Sequence, residues 1–304
     1  MKNSAAIAKS VAERSAAAPR REGRRKAGRR FRFGAAELLT GLAVLTVVFL
    51  AACALFPRLI APFSPTDMNT AAILQAPSSI HFFGTDYFGR DVFSLVVYGT
   101  RDSLLIGVSA VAVGVLIGGT IGALSGYIGG RTDTVLMRLI DVLLTVPGIL
   151  LALAIAAALG PGLRNIVLAI AVSSVPGYAR VMRGQIMTIR KRGYVFASRA
   201  LGARPSAVLL KHVLPNSLAP LLVMATLGLG TSILAGAGLS FLGLGVIKEI
   251  PDWGALLSQG RGYLTVAWWI CTFPGLAITL FVLSVNVIGD HWRDAVDPKR
   301  KGRG

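Results

Sequence analysis

The sequence is poor in the residues on which covalent cross-linking and side-chain catalysis depend. It has two cysteines, Cys53 and Cys271, both inside apolar stretches, which argues against a disulfide framework or a thiolate metal site. Its three histidines, His81, His212 and His291, are scattered along the chain, so a membrane enzyme would lack a convergent set of base, nucleophile and metal ligands. Acidic residues number 14 against 32 Lys and Arg. Asp141 is the one candidate carboxylate within an apolar span, and no inverted-repeat halves are visible, which argues against an ion-coupled secondary transporter. No Gly-Lys-Ser/Thr occurs, hence no P-loop to hold nucleotide phosphates. Charged residues make up 15% of the chain, against roughly 25% in soluble proteins.

What the chain has instead is apolar length. Hydrophobic residues are 54% of its 304 positions, and runs near 20 residues recur, as a bilayer of about 30 Å requires. These predict an all-α polytopic membrane protein of six transmembrane helices, over residues 38–60, 103–128, 139–159, 165–178, 217–239 and 265–288. The expected organisation is a basic tail (1–36), a first span (37–63), a folded extracytoplasmic connector (64–101), a core (102–290) and a second tail (291–304). The tail 1–36 carries eleven Lys or Arg without apolar periodicity and is expected to be disordered. The net charge of +18 points to membrane lipid and not to nucleic acid, because the basic residues lie in blocks beside the spans. With the N-terminus inside, 26 of the 32 basic residues fall on the cytoplasmic side, which orients both termini inward. Leu50-Ala51-Ala52-Cys53 has the look of a lipobox, but the apolar run continues past it.

Several positions inside the spans carry specific expectations. Gly114, Gly118, Gly122 and Gly126 fall four apart and form a bare ridge for close helix packing, expected to meet another membrane chain. Arg138 is the expected ion-pair partner of Asp141. Pro147-Gly148 should bend the third span and Pro176-Gly177 interrupt the fourth. Trp268 and Trp269 suit an interfacial belt.

Residues 180–215 are too charged to enter a bilayer and too apolar to be a linker. Tyr194, Ala197, Ser198 and Leu201 fall at helical spacing, Gly202 is a helix stop, and Pro205 opens a second helix that should end before Pro215. The first helix presents an apolar face of Tyr194, Phe196, Ala197, Ala200 and Leu201.

Phe196-Ala197-Ser198, then Gly202, then Leu214-Pro215 resemble the cytoplasmic "EAA" loop of permease subunits in ATP-binding-cassette importers. His81 to Val92, with its Gly-Thr-Asp and Gly-Arg-Asp-Val, resembles the peptide-permease branch of that family. So do Leu239-Ser240-Phe241-Leu242-Gly243-Leu244-Gly245, Trp253-Gly254 and the Gly289 to Pro298 end. The resemblance implies that Tyr194, Phe196, Ala197, Ala200, Leu201, Gly202, Ala203, Leu214 and Pro215 form the contact with separate ATPases. It also implies a second, homologous permease, two ATPase subunits and an extracytoplasmic substrate-binding protein as partners. ATP and Mg would sit on the ATPases, with no cofactor on this chain. The chain departs from the pattern at Phe196, where Glu is usual. The implied cargo is a dipeptide or oligopeptide, with a nickel chelate, glutathione or an opine-like solute as alternatives on the same scaffold.

Overall fold

The computed structural model describes residues 25–246 and 248–296. It divides into two units, Met1–Gly41 and Leu42–Gly304. In the first, residues 1–24 of the expected disordered tail lie outside the described residues, while residues 25–41 are helical and open α1 (Arg25–Leu55). The helix therefore starts within the basic stretch. A helix already nucleated by an apolar run extends upstream at little further cost, because propagation adds one hydrogen bond per residue fixed.

The second unit contains the rest of α1 and eight further labelled helices. These are α2 (Val92–Ile128), α3 (Gly130–Leu144), α4 (Gly148–Leu159), α5 (Leu163–Ile189), α6 (Gly193–Ala200), α7 (Leu214–Leu239), α8 (Trp253–Gly260) and α9 (Trp269–Val296). Among the described residues the only strand-like feature is an isolated bridge between Thr85 and Asp91. Among the described residues five helical stretches are long and apolar enough to cross a bilayer, and α3 with α4, a pair bent by 86°, makes a sixth where the pair is counted as one span. The bend falls at the expected Pro147, but it is a break and not a kink. Pro147 caps α4, and α4 has 12 residues, about 18 Å at 1.5 Å per residue, too short to cross alone.

Other boundaries move for local reasons. α2 begins eleven residues before the expected 103 because the Asp91 carboxylate accepts from the Ser94 amide at 2.8 Å and caps it. The expected link around Arg131 and Asp133 is helical, since Gly129 at φ +74° stops α2 and α3 starts directly at Gly130. α5 runs through Pro176 without interruption. One turn earlier the Ser173 and Ser174 hydroxyls donate to the carbonyls of Ile170 and Ala171, both at 2.8 Å, the kind of side-chain help that lets a membrane helix tolerate proline. Cys53, of the lipobox-like run, is buried inside α1.

The glycine ridge is an intrachain contact, which corrects the expectation that it meets another chain. All four glycines are buried, and α5 lies in their groove. A Cβ on Gly118 would stand 2.6 Å from the Val175 carbonyl oxygen, and one on Gly126 2.8 Å from that of Arg183. Gly114 and Gly122 would meet the Ser174 hydroxyl and the Ala179 carbonyl still more closely. Gly122→Leu is therefore expected to force α2 and α5 apart, at more than about 3 kcal/mol, the upper range for overpacking. Gly184, where an added Cβ would meet nothing within 4 Å, provides the control: Gly184→Ala should be neutral or stabilise by up to about 1 kcal/mol. Thermal unfolding in detergent should separate the two, and equal stability would mean that the helices are not in backbone contact.

The Asp141 pairing also differs. Its partner is Arg180 of α5 at 2.6 Å, not Arg138, because α5 continues far enough to bring Arg180 alongside α3. One turn further on, Arg183 holds Asp133 in a two-pronged pair, its Nε and Nη2 donating to the two carboxylate oxygens at 2.6 Å each.

The connector is a compact roof over the other end of α2. Arg90 and Asp86 form a buried pair at 2.7 Å, 5% and 2% exposed, and Arg90 also donates to the Glu249 carbonyl at 3.0 Å. His81 contacts Asp91 at 2.9 Å. Trp269 is buried and its indole donates to the Thr85 carbonyl at 2.9 Å, so it is a core residue and not part of a belt, whereas Trp268 is exposed. The Trp253 amide and indole reach the Ser103 hydroxyl at 3.1 Å and the Val96 carbonyl at 3.0 Å. Arg90→Met would leave the Asp86 carboxylate buried without its cation, at a cost of about 3–5 kcal/mol. Arg90→Met with Asp86→Asn, which removes the charge but keeps an oxygen to accept from the Phe88 and Arg90 amides, should recover most of that. Expression and melting temperature of the pair measure it, and a single variant as stable as the parent would refute the assignment.

Candidate functional site

The segment expected as a hairpin is built on a buried valine anchor. α5 carries the chain as one helix to Ile189 and ends at Arg190, whose guanidinium donates back to the carbonyls of Gly126 and Tyr127 at 2.8 and 3.0 Å. Those are orphan carbonyls in the last turn of α2, so one cation closes two helix ends. After a turn through Lys191 and Arg192, α6 drives Val195 fully into a cluster with Val208, Val213, Ile186, Ile189 and Met182. The Tyr127 hydroxyl donates to the Pro205 carbonyl at 2.6 Å, and the Arg199 guanidinium lies over the Tyr127 ring at 5.6 Å.

Gly202 stops α6 by the geometry its residue type allows. Its φ is +83°, its amide donates to the Arg199 carbonyl at 3.0 Å, and the Ala203 amide donates to Ser198 at 3.2 Å. That pattern is a Schellman cap, with the left-handed position filled by the one residue without a Cβ.

The outward side of α6 is apolar. Tyr194, Phe196, Ala197, Ala200, Leu201 and Gly202 are all exposed, Phe196 at 74% and Leu201 at 89%. Ala203 is half-buried against the valine cluster, Leu214 is likewise half-buried within it, and Pro215 is exposed in the first turn of α7. The structure thus brings the α6 positions together on one surface, while Ala203 and Leu214 serve the anchor.

One expectation about this segment is overturned. The second helix does not end before Pro215: the turn Pro205–Val208 passes through a wide π-turn at Leu209–Val213 directly into α7. Proline lacks an amide, and Pro215 follows directly on the π-turn, where the regular hydrogen-bond ladder is already interrupted. Sequence reasoning also missed Val195, Val208, Val213, Tyr127 and Arg190. The Val208 to Val213 interval of five fits only the π-turn, so a 3.6-residue period hides it. Nothing in the local pattern ties Tyr127 to a proline 78 positions later.

At the connector end, a recess of about 230 Å³ is lined by Tyr87, Phe88, Arg90, Lys248, Glu249 and Gln259. Its cations are already paired, Arg90 with Asp86 and Lys248 with Asp102 at 3.0 Å. Burial pushes the Tyr87 hydroxyl above its ordinary phenol range, so it stays neutral. Among the described residues no group of three His, Cys, Asp or Glu could hold a metal ion.

Comparison with known proteins gives this geometry a family. The chain is 44% identical over 263 residues to a dipeptide transport system permease protein of Alkalihalophilus pseudofirmus, covering 86% of each. It is 45% identical over 266 residues to a di/tripeptide transport system permease protein of Pseudomonas aeruginosa, covering 86% of this chain and 87% of that one. A glutathione transport system permease protein of Pectobacterium atrosepticum is 41% identical over 258 residues, 84% of this chain and 86% of its own. Among solved structures, an inward-facing MetNI methionine ABC transporter superposes with a TM-score of 0.56 at 22% identity, over 67% of this chain and 97% of that one, a likeness of fold. Residues 118–302, from the middle of α2 onward, match the family described as binding-protein-dependent transport system inner membrane component. The chain belongs to that family: it is a multi-pass inner-membrane permease subunit of an ATP-binding-cassette importer, a transport component and not an enzyme.

Proposed function

We propose that this permease passes dipeptides or short oligopeptides into the cell, and that α6 is where a separate ATPase grips it. Relatives named for dipeptide and di/tripeptide transport, at 44% and 45% identity over 86% of the chain, support the substrate class. Glutathione, itself a short peptide, is the second reading, because a relative at 41% identity carries that name. The observation that carries the docking role is the exposed apolar face of α6, seated on the buried Val195. A short helix with a compact apolar face suits a groove in another protein.

The same reading assigns the remaining parts. The hairpin end is cytoplasmic, with both termini on that side, as the asymmetry of basic residues favours. A second, homologous permease completes the membrane domain, two ATPase subunits bind ATP and Mg, and an extracytoplasmic binding protein delivers the peptide. Hydrolysis belongs to those ATPases, since no Gly-Lys-Ser/Thr occurs here.

Two substitutions test the grip. Ala200→Asp places a charge at the centre of the face and should weaken ATPase binding by about 2 kcal/mol, on the order of thirtyfold. Gly202→Val keeps ample space, with nothing within 4 Å, but a β-branched residue at φ +83° costs about 1–3 kcal/mol of backbone strain. Both should insert normally, release the ATPases in pull-down from native-like membranes and lose uptake. Full retention with normal transport would mean that the motor docks elsewhere. For the cargo, labelled dipeptide uptake by the complete importer should be competed by unlabelled dipeptides more strongly than by glutathione; the reverse order would favour the second reading.

A further inference from the structure

α2 is a long helix of 37 residues, about 55 Å, and it is tied at both ends. At the connector end Asp91 caps it, and Trp253 bonds to it through Ser103 and Val96. Along its middle the glycine ridge lets backbone carbonyls and short side-chain atoms of α5 approach it closely, a contact held by van der Waals packing. At the hairpin end two groups hold it. Arg190 joins α2 to the end of α5, and the Tyr127 hydroxyl joins α2 to Pro205, between α6 and α7.

These ties are not equivalent. The hairpin is covalently continuous with α5 on one side and with α7 on the other, so movement of α6 reaches both directly. To α2 it has no covalent link nearby. Among the hydrogen bonds of the described residues, the Tyr127 to Pro205 bond at 2.6 Å is the direct one between α2 and the segment 193–213. The Pro205 carbonyl already accepts the Leu209 amide within its own turn, so the phenol takes its second lone pair and is not needed to satisfy it. Arg199, on α6 itself, holds the ring by lying over its face. A polar latch on a carbonyl that already has a backbone partner, clasped by a residue of the docking helix, is placed to transmit and not merely to pack.

We propose that Tyr127 is a positioning residue for transport: it transfers displacement of α6 to α2, and α2 carries it to the connector end. This rests on the docking role assigned to α6. Tyr127→Phe removes only the hydroxyl and keeps the ring under Arg199. In the complete importer, reconstituted with its ATPases and binding protein, the variant should assemble and melt as the parent does and keep its basal ATP hydrolysis. Peptide taken up per ATP hydrolysed should fall about fivefold, the worth of one ordinary hydrogen bond, and stimulation of hydrolysis by peptide-loaded binding protein should fall with it. An unchanged ratio would overturn the proposal, as would a fall in uptake explained wholly by less assembled or less stable complex. Ala200→Asp run in parallel separates the two claims. Release of the ATPases by Ala200→Asp with an unchanged ratio in Tyr127→Phe removes only the role of Tyr127; retention of the ATPases by Ala200→Asp removes the docking role itself.

Discussion

The structure depends on one contact, the meeting of α2 and α5 backbone to backbone. In lipid no hydrophobic gain separates helix–helix from helix–tail contact, so close van der Waals packing has to hold the pair. Four glycines at intervals of four supply the closeness, and Ser174, Val175, Ala179 and Arg183 of α5 fill the groove they leave. The other elements are arranged around this pair. Asp133 and Asp141 of α3 clamp onto Arg183 and Arg180 of α5, and Ala152 and Ala156 of α4 bury against Ile166, Ala169 and Ile170 of α5. Pairing two charges across α3 and α5 also explains how carboxylates are tolerated beside apolar spans: each has a guanidinium within 2.6 Å.

The element types were legible because they rest on composition, and composition has no competitor in a bilayer. Apolar runs, Gly202 as a stop and Pro147 as a bend follow from rules that act within a few residues. The errors have the same root. Whether the ridge of Gly114 to Gly126 meets a neighbour chain or α5 is a long-range fact, invisible to any window, and the choice of Arg180 over Arg138 for Asp141 depends on how far α5 runs. Pro176 was a breaker by local rule and is harmless inside α5, where it is itself buried and serine hydroxyls donate to nearby carbonyls. Trp269 fails as an interfacial residue for a comparable reason: the connector folds over it and supplies a carbonyl for its indole.

The site was half legible. Tyr194, Phe196, Ala197, Ala200 and Leu201 announce themselves as an apolar face because they lie on one short helix. What holds that helix rigid does not, since Val195, Val208 and Val213 come from both sides of a cap and across a π-turn. A helical period sampled at 3.6 residues counts such an interval as a mismatch, although the wider turn is what carries Val208 and Val213 to the same cluster.

Exposed apolar surface means different things at different heights of this protein. Leu38, Leu45, Leu116 and Leu139 are exposed within stretches whose length and hydropathy fit them to lipid tails, so their exposure needs no protein partner. Phe196 and Leu201 belong to no such stretch. They lie past the end of α5, on an eight-residue helix and its C-cap, with Arg199 in its last turn and Lys191, Arg192 and Arg204 on either side, too short and too basic in its setting to enter the hydrocarbon. Its inward side is already satisfied by Val195, so the apolar residues facing out are not left over from forming a core. A rigid base beneath an unused apolar face is costly to keep in water, and the cost is recovered only where another surface covers it. The exposed Phe196 and Leu201 of α6 are thus a different kind of apolar surface from the lipid-facing leucines of the spans.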